Sequence, residues 1–198
     1  MMNNLRNADI NNKPGNYRWM VCSLLFFATT INYLDRQVVG LLKPVLEKEF
    51  SWTETDYSHI VMAFTGAYAL GLLLFGRIID KIGSKLGYTI SITLWSIAAM
   101  LHAVVKSTFG FGAVRAFLGI GESGNFPAAI KTVTEWFPKK ERALATGFFD
   151  SGSNIGALAA PIIIPWILLI LFGIFSYSGS HLISPTHFIL ILKSQVCH

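Results

Sequence analysis

The 198-residue sequence predicts an all-α integral membrane protein with about five transmembrane helices, and three observations predict it. It is 53% hydrophobic and 14% charged, with a mean hydropathy of +0.51, far from the average soluble domain. Apolar segments of roughly 20 residues recur along it, each long enough to span a bilayer. Its basic residues also sort by side. With the N-terminus inside, ten Lys and Arg fall on the inner side (Arg6, Lys13, Arg18, Arg77, Lys81, Lys85, Lys131, Lys139, Lys140, Arg142), against Lys43, Lys48, Lys106 and Lys193 outside.

Each element follows in order. Residues 1–17 are polar and Asn-rich and read as a cytoplasmic tail, with no apolar core and cleavage site of a signal peptide. The first span runs from about Arg18 to Leu42, lipid-compatible in its first half and interrupted by Asn32, Tyr33, Asp35 and Arg36 in its second. A mixed-charge stretch, Lys43 to Asp56, connects it to the next, with Thr53 placed to cap a helix and Asp56 three residues on. The second span covers about Tyr57 to Ile79. A tight, charged connection with glycines at 76 and 83 leads to the third, about Leu86 to Val105. The fourth, about Phe109 to Val133, ends before Pro138, which discourages helix continuation. A fifth begins near Ala143. An apolar run from Ile155 to Phe175 carries Pro161 and Pro165, and residues 170–198 form an atypical tail beyond the 18–169 transmembrane part.

Composition also excludes classes. The basic residues come in short clusters between apolar segments, which suits membrane orientation rather than nucleic-acid binding. Cys22 and Cys197 make neither a CxxC nor a metal pattern, so no disulfide framework, metal site or cofactor is expected. No metal-ligand or nucleophile–base spacing supports an enzyme.

The chemistry lies in the polar residues inside the spans. Arg115 and Glu122 are seven residues apart, nearly two turns, so they share one helix face with Gly112 and Gly119. At 1.5 Å per residue, Asp35 and Arg36 lie about 25 Å above the inner start of the first span. Arg115 lies roughly 9 Å below the outer start of the fourth span, and Glu122 about 20 Å in. Asp150 falls about 10 Å up the fifth. This gives an outer level of Asp35, Arg36 and Arg115 and an inner level of Glu122 and Asp150. Arg115 then has two carboxylate candidates, Asp35 across the bundle and Glu122 on its own helix. Charges in lipid face the bundle interior and mark functional sites by default. Arginines that stay charged suit an anionic substrate, and carboxylates that exchange protons suit coupling. The alternative is that such pairs only hold helices together. His102 reads as a bundle residue rather than a proton relay. Gly152, Gly156 and Ala160 read as a close-packing run.

Four motifs carry a family resemblance. Gly76-x-x-x-Asp80-Lys81-x-Gly83-x-Lys85 resembles the loop between the second and third helices of the major facilitator superfamily, with Ser84 where a basic residue is usual. Asn32-Tyr-Leu-Asp35-Arg36, Arg115 through Gly-Glu122-Ser-Gly-Asn125-Phe-Pro127, and Glu135-Trp-Phe-Pro-Lys-Lys-Glu-Arg142 resemble its anion:cation symporter branch, most closely bacterial hexuronate transporters. The resemblance covers about Arg18 to Leu168. It implies the N-terminal half of a major facilitator fold, truncated after about five helices, in a bacterial inner membrane with its N-terminus cytoplasmic. It also implies proton-coupled uptake of a sugar acid. Arg36 would contact the substrate carboxylate, and Tyr33, Tyr68 and Ser153 would line the sugar site. Asp35 and Glu122 would take protons, with Arg115 switching between them, and Gly76, Asp80, Lys81, Gly83 and Lys85 would form a gating loop. The partners implied are a small organic anion, protons, membrane lipid and the missing C-terminal half. Asp150 stands where the resemblance implies an uncharged residue. A different class remains open: a non-transporting membrane fragment or regulatory partner of a full-length transporter.

Overall fold

The computed structural model describes residues 17–177, and these form only helices and short connections. In chain order they are α1 (Tyr17–Phe50), α2 (Glu54–Ile82), α3 (Ser84–Leu101), α4 (Thr108–Ser123), α5 (Asn125–Trp136) and α6 (Arg142–Tyr177). The tail from residue 178 onward lies outside the described residues.

Local chemistry sets the boundaries. α1 does not stop at Leu42 as the sequence reading expects; it continues through Pro44 to Phe50. The polar face that looked like a connection is held by Lys43, which meets Glu47 at 3.5 Å and Glu54 at 2.7 Å. A tight turn at Ser51, with φ 53°, then reverses the chain. Thr53 caps α2 as expected: its hydroxyl accepts from the Asp56 N–H, while the Asp56 carboxylate accepts from the Thr53 N–H at 2.9 Å. Gly83, at φ 89°, makes the sharp turn from α2 into α3 that a side chain would strain. α3 ends four residues earlier than expected, at Leu101, and Ser107 caps α4.

The predicted fourth span is two helices rather than one. Pro127 cannot donate to the Ser123 carbonyl, so the hydrogen-bond ladder breaks and the axis bends at Gly124. α5 ends in an extended Phe137, where Arg142 donates to the Phe137 and Thr134 carbonyls at 3.0 and 2.8 Å. With α4 and α5 taken as one bent unit, the described residues hold five crossings. Among them only α2 is by itself long and apolar enough to cross a membrane. α1 carries Asn32, Asp35 and Arg36 within its length, and α4 and α5 are each short.

α1 lies along α6, and α4 lies between α2 and α3. Small residues bring these backbones together. A Cβ on Gly119 would lie 2.6 Å from the Phe64 carbonyl oxygen of α2, and one on Gly121 2.7 Å from the Trp95 nitrogen of α3. On α6, a Cβ on Gly152 would meet the Phe26 carbonyl oxygen at 2.6 Å, and one on Gly156 the Thr30 carbonyl oxygen at 2.5 Å. The polarity runs opposite to that of a water-soluble protein. Glu122 and Arg115 are buried, at 0% and 5% exposure, while Leu24, Phe27, Met62, Leu70, Leu73, Leu158 and Ile162 all lie outside. Apolar outside with charge inside is the arrangement a bilayer selects.

Candidate functional site

The site is built on the middle of α1, where Tyr33, Asp35 and Arg36 lie within a single turn. Asp35 and Arg36 are adjacent and therefore point about 100° apart. Arg36 faces α2 and α4. Its Nε donates to Glu122 Oε2 at 2.8 Å, and its guanidinium lies 4.8 Å from the Tyr33 ring centroid and 4.3 Å from that of Tyr68. Phe64 closes the same side at 5.8 Å. The guanidinium is therefore held between two phenol rings and a carboxylate, with its side chain still 21% exposed while that of Glu122 is fully buried. Glu122 Oε1 is buried and has no partner.

Asp35 faces α3 instead, where it accepts from the Trp95 indole at 2.6 Å. Beside it, a cavity of about 450 Å³ opens between α1, α3 and α4. Asp35, His102 and Arg115 are its polar wall, and Val38, Val39, Leu42, Leu46, Phe111 and Leu118 are among its apolar ones. His102 Nδ1 meets the Ala98 carbonyl at 2.8 Å, which supports the bundle reading, while its Nε2 is buried without a partner.

This arrangement corrects two expectations. Arg36 and Glu122 do not lie on separate levels; they touch. A depth taken from backbone rise compares backbone positions, but helical side chains lean toward the helix N-terminus, and arginine is long. Arg115, expected to pair with Asp35 or Glu122, makes no ion pair within 4.0 Å among the described residues. Trp95 holds Asp35 and Arg36 holds one oxygen of Glu122, while the Arg115 guanidinium lies 5.7 Å from the Phe64 ring, its buried Nε unpartnered.

The remaining expected residues lie apart. Ser153 is half-buried on α6, and its hydroxyl donates to the Asp150 carbonyl at 2.6 Å rather than reaching the Arg36 cage. Asp150 is exposed. Gly76 and Lys81 lie in the last turns of α2, Gly83 is the turn between α2 and α3, and Lys85 lies in the first turn of α3, both lysines exposed. Asp80 meets Lys131 of α5 at 3.5 Å, and Lys131 also donates to the Ile79 carbonyl at 2.7 Å. Sequence reasoning missed several partners here. Lys131 locks the end of α2, Glu135 accepts from Ser84, and Tyr88 donates to Asn125 at 2.7 Å. Glu135 and Asn125 both stand in the motifs singled out above, so a search for donors across the bundle could have found them. No group of three metal-ligating side chains occurs among the described residues.

An all-helical bundle, apolar outside and with a caged arginine–glutamate pair inside, defines a polytopic membrane protein built to handle charge. The chain belongs to the Major Facilitator Superfamily, whose family model matches residues 25–190. This is a family of membrane transporters rather than enzymes, and its members are multi-pass proteins, here with relatives from bacteria. The hexuronate transporter of Escherichia coli (strain K12) is 34% identical over 152 residues, covering 77% of this chain and 35% of that protein. The galacturonate transporter of Dickeya chrysanthemi is 32% identical over 152 residues, covering 77% of this chain and 44% of the relative. The chain thus spans less than half the length of these curated relatives. A crystal structure of a bacterial homologue of the human lysosomal transporter Spinster superposes with a TM-score of 0.73 at 23% identity, over 85% of this chain and 39% of that one, a likeness of fold.

Proposed function

We propose that the chain forms the N-terminal part of a secondary active transporter that takes up a sugar acid such as a hexuronate together with protons, its N-terminus in the cytoplasm. The observation that carries this reading is the Arg36–Glu122 pair inside the Tyr33–Tyr68 cage. Arg36 is the anion-binding group: its fork matches a carboxylate, and its two flanking rings fix its plane. Glu122 competes for the same guanidinium, so its protonation frees Arg36 for substrate, and binding of the anion favours the protonated acid. That exchange couples one proton to one anion. Asp35 is the second proton site, reached from the cavity it shares with Arg115, and Arg115 is the cation that takes up whichever carboxylate is left ionised. Tyr33, Tyr68 and, after an inward shift of α6, Ser153 line the sugar. Gly76, Asp80, Lys81, Gly83 and Lys85 act at the inner gate, where Lys131 ties α2 to α5. The similarity to hexuronate and galacturonate transporters supports the substrate class.

The test is uptake of labelled glucuronate or galacturonate into proteoliposomes containing the complete transporter, with the outside made acidic. Accumulation that collapses when a protonophore dissipates the gradient is expected. Equilibration without accumulation in both conditions would remove the proton from the proposal, and no saturable uptake of any sugar acid would remove the substrate class.

A further inference from the structure

We propose that Asp150 selects among sugar acids, accepting hydrogen bonds from the hydroxylated end of a monocarboxylate and excluding sugar diacids. This rests on the sugar-acid reading above and deepens it. α6 has three faces. Phe149, Gly152, Gly156 and Ala160 are buried, and the two glycines lie against the Phe26 and Thr30 carbonyls of α1. Leu144, Phe148, Ile155, Leu158, Ile162 and Trp166 form an exposed apolar face. Asp150 and Asn154, a turn apart and both exposed, lie on a third face together with Gly147.

The side to which this third face points follows from helix geometry. The glycine contacts advance together along both chains, 152 on 26 and 156 on 30, so α1 and α6 run parallel. At 3.6 residues per turn, the exposed apolar residues of α6 and those of α1 (Met20, Leu24, Phe27, Ile31) project to one side of the plane through both helices. Asp150 projects to the other, and so does Arg36, while Tyr33 stands on the contact face itself. Gly156 is level with Thr30 and Tyr33, since its Cβ would meet Tyr33 Cβ at 3.1 Å. Asp150, six residues earlier, lies roughly 9 Å closer to the inner end. Arg36 is three residues, about 4.5 Å, beyond Tyr33, but its long side chain leans back toward the helix N-terminus and lies against the Tyr33 ring, so its guanidinium stands roughly one sugar length from Asp150 along the helices. A six-carbon acid is roughly 6 Å from its carboxyl carbon to its last carbon at ordinary bond lengths. With a hydrogen bond of about 2.8 Å at each end it covers that separation.

A carboxylate there accepts from vicinal hydroxyls and repels a second carboxylate, so a hexuronate or aldonate fits and an aldarate does not. Asp150 is the sole acidic residue on α6, and no described residue pairs with it within 4.0 Å, leaving its oxygens available to a ligand.

The experiment is competition in proteoliposomes of the complete transporter: labelled hexuronate uptake against unlabelled hexuronate and unlabelled aldarate, in the wild type and in Asp150→Asn and Asp150→Ser. We expect the wild type to be poorly inhibited by aldarate. In both variants aldarate inhibition should strengthen by roughly tenfold as the like-charge contact is lost, with hexuronate KM rising a few-fold. An unchanged ratio of the two constants in variants that still transport hexuronate overturns the role of Asp150 and leaves the transport reading intact. A wild type inhibited equally by both acids overturns it without any variant. If the wild type moves no sugar acid, both readings fall.

Discussion

Glu122→Gln isolates the competition at Arg36. In the structure one guanidinium serves one carboxylate at 2.8 Å, and an incoming anion must displace it. The amide keeps the volume and an acceptor oxygen, so the cage of Tyr33 and Tyr68 persists, but the charge is gone. A hydrogen bond to a charged group contributes about 1.5–3 kcal/mol and a neutral one about half that. Releasing Arg36 from a charged to a neutral partner therefore strengthens anion binding by about 1 kcal/mol or more, a gain of about fivefold to tenfold at neutral pH. The sign with pH follows. In the wild type, anion affinity rises as pH falls, because protonation of Glu122 performs the same release; the variant is locked in that state and should show no such rise from this site. Binding of glucuronate to the purified transporter at pH 6, 7 and 8, by calorimetry or scintillation proximity, reads both effects. Counterflow should survive while uphill accumulation is lost. A variant that binds more weakly than wild type, or keeps the full wild-type pH dependence, would refute competition as the coupling step.

Three further outcomes are expected. Arg36→Lys should lower uptake by more than tenfold, because an ammonium neither forks onto a carboxylate nor stacks between Tyr33 and Tyr68; retention of wild-type KM would contradict the cage. Gly121→Val places side-chain carbons against the Trp95 nitrogen and Cα, at 2.7 and 3.0 Å from the Cβ position, and should cost about 1–3 kcal/mol, read as a lower thermal midpoint in detergent. Thr53→Val removes the hydroxyl that receives the Asp56 N–H and should cost about 1 kcal/mol in the same assay, with transport unchanged in KM.

What was legible in the sequence was what depends on near neighbours. The Thr53–Asp56 cap needs only three residues of spacing, and the closeness of Gly152 and Gly156 to another helix only a periodic run of small side chains. Arg115 and Glu122 could be put on one face for the same reason. The pairing of Arg36 with Glu122 spans 86 residues and depends on where a long side chain leans, so a depth computed from backbone rise set them apart. Trp95 falls inside the third apolar span, and nothing local announces that its indole N–H serves Asp35. The bend at Gly124 was written in Pro127, but a continuous apolar run hid it.

The adjacency of Asp35 and Arg36 has a mechanical consequence. One peptide bond separates a hydrogen bond to α3 from an ion pair to α4. Turning α1 about its own axis, or sliding it by a fraction of a turn, therefore shifts both contacts at once. The helix acts as a shaft with two teeth set at neighbouring angles. Chemistry that loosens one tooth changes the torque on the other, so an event at Glu122 is felt at Trp95 without a chain of intermediaries. The coupling is written into the shortest covalent link a protein has.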